Sequence, residues 1–147
     1  MQTTWFIVAD EHRARIFETE GAQDDLHEIE DFVSPEGRMR EQDLNSDAKG
    51  RYYGKGERFS AHTTEPNVSQ TQHAQQLFAK EVCDYLDRAR ADHRYDKLCV
   101  IAFSKFLGML RENMSKEAQQ LVEDEIAKDI SGLDEREIEA YIKARLH

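Results

Sequence analysis

Asp10 closes the first apolar run of the chain, "TTWFIVAD", and Arg13 follows it almost at once. An acid at the end of a buried strand points into the crevice at the carboxyl edge of a sheet, where α/β proteins place ligand groups. The same acid in a tight turn caps local N–H groups. Both readings of Asp10 are open at this point. A second set of candidates surrounds Ser104. It directly follows the apolar run "DKLCVIAF", but no G-x-S-x-G elbow surrounds it, so it reads as a helix N-cap rather than a strained nucleophile. Lys105 and Arg111 lie near the N-terminal half of the same helix, whose dipole favours anions. Solvation alone also accounts for two such surface cations.

The third set lies in "KGRYYGKGERFSAHTTEP", Lys49 to Pro66. Between Arg38 and His62 the bases Arg38, Arg40, Lys49, Arg51, Lys55 and Arg58 slightly outnumber the acids Glu41, Asp43, Asp47 and Glu57. Tyr52, Tyr53 and Phe59 interleave with those bases, a combination that stacks nucleobases while it neutralises phosphates. A polar connection with no ligand is the alternative. "GKGE" lacks G-x-x-x-x-G-K-[ST], so a phosphate-cradling nucleotide loop is not indicated. The histidines show no metal-ligand spacing, and the acids of "EDEIAKD" read as a solvated face. The candidate binding residues are therefore Asp10, Arg13, Arg51, Tyr52, Lys55, Arg58, His62, Lys105 and Arg111. None is assigned to catalysis or to a metal, and no cofactor is expected.

These residues need a scaffold. At 147 residues, 39% hydrophobic and 34% charged, the chain suits one soluble domain with a well-solvated surface. A net charge of -10 argues against the whole surface being a nucleic-acid footprint, but leaves room for a local basic patch. Cys83 and Cys99 sit in apolar contexts and read as small hydrophobes. No signal peptide or membrane-spanning run is present, so a cytoplasmic protein with no membrane partner is expected.

"TTWFIVAD" reads as a buried strand. "HRARIFE" reads as a second, with Ala14, Ile16 and His12 on one face and Arg13, Arg15 and Phe17 on the other. "DEH" between them makes an antiparallel hairpin. "LHEIEDFVS" is a weaker third strand, with Leu26, Ile29 and Val33 as its apolar residues. No apolar period survives from about 35 to 67, which predicts a long flexible loop after the third strand. A helix follows, capped by Ser69 or Thr71, with Leu77, Phe78, Val82, Tyr85 and Leu86 on its apolar face. "DKLCVIAF" is apolar at consecutive positions, as in a strand covered on both faces. "SKFLGMLRENM" is a short helix with Phe106, Leu107 and Leu110 inward. "AQQLVEDEIAKDI" suits either a helix or a charged strand. "SGLDEREIEAYIKARL" is an amphipathic helix with Leu133, Ile138, Tyr141 and Ile142 inward. The sum is a single α/β domain with a mixed sheet flanked by helices.

Three ordered stretches resemble the bacterial host attachment proteins, described as required for attachment to host cells. They are Val8-Ala9-Asp10 before Arg13-Ala14-Arg15-Ile16-Phe17, then Leu107-Gly108-Met109-Leu110-Arg111, then Lys128-Asp129-Ile130-Ser131. The resemblance covers nearly the whole chain. The family is similar to the middle domain of archaeal and eukaryotic release factors, an RNase H-like arrangement. That kinship implies a strand at "EDEIAKD". It also implies that the long loop occupies the place of the release-factor Gly-Gly-Gln loop. The nearest feature here is Gly54-Lys55-Gly56-Glu57, without the glutamine. Two function classes follow. One is a non-enzymatic module that binds RNA, a ribosome or a protein partner through the basic aromatic loop and the crevice near Asp10. The other is a hydrolase or nuclease that uses Asp10 and loop residues. A homodimer through the last helix is a further candidate partnership.

Overall fold

The hairpin expected around "DEH" forms between β1 (Thr4–Ala9) and β2 (Arg13–Thr19), which pair antiparallel from Ala9 opposite Ala14 to Thr4 opposite Thr19. The structure is a computed structural model that describes residues 2–21, 25–35, 37 and 64–146, the side chains of 64–69 and 146 excepted. β3 (His27–Val33) adds antiparallel to β2, with a register shift between Ile16 and Phe17. α1 (Thr64–Ala91) then leads to β4 (Lys97–Ala102), which lies parallel to β1. α2 (Ser104–Asn113) and the short α3 (Lys116–Gln120) precede β5 (Val122–Ala127), parallel to β4. α4 (Glu135–Leu146) completes the element order. The result is a single α/β domain whose mixed five-stranded sheet has the order β3-β2-β1-β4-β5. That order is compatible with an RNase H-like arrangement.

Alternate strand residues face opposite sides of the sheet, so β1 and β4, apolar throughout, serve two cores at once. Trp5, Ile7, Leu98 and Val100 meet Phe78, Val82, Leu86, Phe106 and Leu110 of α1 and α2. Phe6, Val8, Cys99 and Ile101 form the second core with Phe17, Ile130, Ile138 and Ile142. Trp5 is fully buried and donates its indole N–H to Glu18 Oε2 at 2.9 Å, which removes the cost of an unpaired buried donor. Glu139 of α4 accepts a bond from Leu26 N at 2.9 Å. That bond holds the Glu139 carboxyl below the ordinary range.

Several expectations are corrected. α1 starts at Thr64, so Ser69 and Thr71 lie inside it and neither caps it, and the expected loop at 35–67 loses its last residues to the helix. Pro66 sits in the first turn, where its missing N–H has no intrahelical partner to lose. Leu77 is 54% exposed rather than inward. The buried stripe runs through Phe78, Val82 and Leu86, and Leu77 falls beside it with exposed Glu81. Ser104 is the first helical residue of α2 and not its cap; that position is Phe103, with no side-chain capping bond. Arg111 belongs to the last turn of α2, where a cation complements the negative end of the dipole. The charged strand at "EDEIAKD" is β5. No described helix is long and apolar enough to cross a membrane.

Candidate functional site

β1, β4 and β5 run parallel, so their carboxyl ends share one edge of the sheet. Ala9, Ala102 and Ala127 stand side by side in register there. The next residue of each strand is Asp10, Phe103 and Lys128, three unlike side chains at the head of three adjacent strands. Lys128 N donates to Ala102 O at 3.0 Å, which holds this row together for one more step beyond the ladder.

Asp10 is fixed from both sides. Its Oδ1 accepts from His12 N at 2.7 Å and Arg13 N at 2.9 Å, closing the β1–β2 turn. Its Oδ2 accepts from Ser131 Oγ at 2.7 Å. The Ser131 hydroxyl also lies 2.9 Å from Asp129 Oδ1, and Ser131 is only 2% exposed. Arg15 holds the same segment from below. Its Nη1 donates to Leu133 O at 2.6 Å and Ser131 O at 3.4 Å, while its Nε and Nη2 meet Glu28 bidentately at 3.0 and 2.9 Å. The guanidinium also lies 5.2 Å from the centre of the Phe17 ring. A buried cation is tolerated here because every face of it meets a carboxylate, a carbonyl or a ring.

Around this braced turn the surface carries aromatic and basic groups beside the acids Glu11 and Asp129. Phe103 is 44% exposed, Lys105 is exposed in the first turn of α2, and the Lys128 ammonium lies 5.7 Å from the Tyr141 ring centre. The first turn of α2 carries no acid. Arg13 turns away and pairs bidentately with Asp31 at 2.9 and 2.8 Å. Arg111 pairs with Glu125 of β5. Of the candidates, then, Asp10, Arg13 and Lys105 stand at the carboxyl edge, with the Arg13 guanidinium engaged by Asp31, while Arg111 is held in an ion pair with β5. Arg51, Tyr52, Lys55, Arg58 and His62, with the flexibility expected around them, lie outside the described residues.

Sequence reasoning missed Phe103, Lys128, Ser131 and Arg15 as site residues. A signal existed for three of them, since Arg15 lies inside one of the stretches that carry the resemblance and Lys128 and Ser131 bound another.

Among the described residues, no group of three or more His, Cys, Asp or Glu side chains could hold a metal ion. The thiols are also unsuited to nucleophilic work. Burial pushes Cys83 and Cys99 up to about 12, and Cys83 Sγ donates to Leu110 O at 3.3 Å. A thiol with that affinity for its proton holds almost no thiolate at neutral pH.

Two of the three stretches singled out in the sequence meet at the Asp10–Ser131 bond, and the third lies in α2, where Leu107 and Leu110 pack into the first core. Residues 5–142 match the family model of proteins required for attachment to host cells. The chain belongs to the host attachment family. A search of curated proteins gave no match. Within this host attachment domain, the turn after β1 and the segment after β5 are parts of one hydrogen-bonded unit.

Proposed function

We propose that this host attachment protein is a non-enzymatic, cytoplasmic binding module that contacts single-stranded RNA, as free strands or on the ribosome. Its contact surface is the carboxyl edge of the sheet together with Arg51, Tyr52, Lys55, Arg58 and His62 of the long segment before α1. The observation that carries the reading is the row Asp10–Phe103–Lys128. Its one acid is tied up by three hydrogen bonds, while Phe103, Lys105 and Lys128 are exposed at the same edge. Exposed aromatic and basic side chains together suit nucleobase stacking with phosphate neutralisation. The apolar side chains Ile138 and Ile142 of α4 pack into the second core, so that helix offers little for a homodimer.

The second reading is a hydrolase or nuclease that works through Asp10. It draws on the approach of Asp10 and Asp129 to one Ser131 hydroxyl. The three bonds that Asp10 accepts weigh against it, because they hold the carboxylate in the turn and leave it one lone pair, on Oδ2, for a substrate or ion.

Fluorescence anisotropy with a labelled single-stranded RNA separates the two. The module predicts binding that falls steeply as salt rises through about 50 to 200 mM, with RNA left intact in magnesium. Replacing Lys105 and Lys128 by Ala weakens it. No binding at low salt overturns the module, and magnesium-dependent cleavage abolished by Asp10→Ala establishes the hydrolase instead.

A further inference from the structure

The end of the sheet opposite Asp10 holds a cavity of about 620 Å³. It opens on the α4 side, near the amino-terminal ends of β1 and β4. Among the described residues α4 is the one helix on this face, and Ile138 and Ile142, with the half-buried Tyr141, are the side chains it adds to the second core. The sheet beyond Ile142 is open among the described residues, so Phe6, Cys99 and Ile101 form an apolar floor with Ile142 as a wall. Small-molecule sites span about 300–1,000 Å³ and combine an apolar lining with a few polar groups, which this cavity does.

The polar groups at the rim decide what the cavity takes. Lys97 is neutralised by Glu123, at 2.9 Å. Glu20 and Asp124 also line the cavity, and neither has an ion-pair partner among the described residues. Arg145 is the remaining cation of the lining. Two uncompensated acids thus face one uncompensated base. The thiol of Cys99 reports the field at the floor: after burial, Asp124 does most to raise its pKa, with Arg145 opposing and Glu123 adding. With Lys97 and Glu123 paired, the remaining charged groups of the rim sum to a net negative charge. A carboxylate entering here meets like charge, whereas a protonated amine meets opposite charge without first displacing a counter-ion.

We propose that this cavity binds a small cationic amphiphile, with a protonated amine at the rim beside Asp124 and Glu20 and an alkyl chain or ring over Phe6, Cys99 and Ile101. The site is separate from the carboxyl edge, so RNA binding and amine binding succeed or fail independently.

The test is an amide NMR titration of the full chain with n-octylamine, n-octanoate and n-octanol as probes. Saturable shifts are expected at Phe6, Cys99 and Asp124, with octylamine at least about tenfold tighter than octanoate. Asp124→Lys reverses that preference; the residue is exposed on an edge strand, so the variant folds. Cys99→Phe fills the floor and weakens octylamine by about tenfold or more. Should that variant not fold, Asp124→Lys carries the test alone. Octanoate as tight as octylamine, a preference unmoved by Asp124→Lys, or shifts that never saturate each overturn the proposal.

Discussion

Ser131 Oγ donates to Asp10 Oδ2 at 2.7 Å across 121 positions of sequence, and this bond joins the first turn of the chain to the segment that enters α4. It converts an acid at a sheet edge from a prospective reactive group into a brace. Asp10→Ala removes the acceptor for two backbone N–H groups and one hydroxyl, and is expected to cost about 2 kcal/mol in urea unfolding. Asp10→Asn keeps an acceptor for the turn, and the Ser131 hydroxyl retains Asp129, so it should cost less than half as much. Equal losses for the two variants would show that the charge, rather than the hydrogen bonds, is what matters.

Arg15 and Arg13 lie two residues apart on β2 and both meet carboxylates, yet their replacement should differ sharply. The Arg15 side chain is 7% exposed, and its loss leaves Glu28 and two carbonyls without their donor. Arg15→Met is expected to destabilise by about 3 kcal/mol or more. Arg13 and Asp31 are 37% and 39% exposed, and Arg13→Ala should cost about 1 kcal/mol or less. Thermal and urea unfolding of both variants under one buffer gives the comparison.

The contrast also shows what was legible in the sequence. Period-two alternation put Arg15 on the same face as Phe17, and the structure agrees. Nothing in that period revealed that the face would need a cation, because the carbonyls of Ser131 and Leu133 arrive from the far end of the chain. β1, β2 and β4 were readable since their burial is continuous and local. β5 was left open between helix and strand by its pattern, because an acidic edge strand buries few side chains and its alternation is weak, and the family resemblance pointed to the strand that forms. The start of α1 was misplaced because Pro66 resembles a boundary when it is in fact part of the first turn. The edge row Asp10–Phe103–Lys128 needed the register of three strands, which no local pattern contains.

Gly37 packs where a side chain has no room. A Cβ there would stand 2.7 Å from the carbonyl oxygen of His12, which is backbone and itself accepts from Ser34 N at 2.9 Å. Gly37→Ala must therefore push this segment away from the β1–β2 turn, at a cost of about 1–3 kcal/mol. Ser34→Ala removes only the hydroxyl that accepts from Gly37 N, and should cost less. Denaturant midpoints of the two variants test the order.

The buried thiols set the alkaline limit. Cys83 and Cys99 rise from 9.0 to about 12 in the folded chain, both chiefly through burial. Unfolded thiols lose their protons first, so the folded state binds more protons above the unfolded value. Stability is thus fully present below about pH 9 and falls as pH rises toward about 12, by at most about 1.4 kcal/mol per pH unit for each thiol. Tyr95, raised by burial while its hydroxyl donates to Leu86 O at 2.7 Å, acts with the same sign. Urea midpoints should drop on going from about pH 8 to about pH 10.5. In a Cys83→Ala, Cys99→Ala variant the drop should be smaller, though the starting stability is lower.

Phe103 and Lys105 are neighbours at the start of α2, but they contribute to RNA binding through different physics. A ring stacks on any base, and stacking depends little on ionic strength. An ammonium displaces condensed counter-ions, and its contribution disappears as salt rises. Phe103→Ala is therefore expected to weaken binding by about 1–3 kcal/mol at every salt concentration, with the slope of log affinity against log salt unchanged. Lys105→Ala should weaken binding most at low salt and reduce that slope by about one. Anisotropy titrations at several salt concentrations distinguish the two. If neither variant differs from the parent chain while Lys55 and Arg58 variants do, the carboxyl edge is not the contact surface and the segment before α1 acts alone.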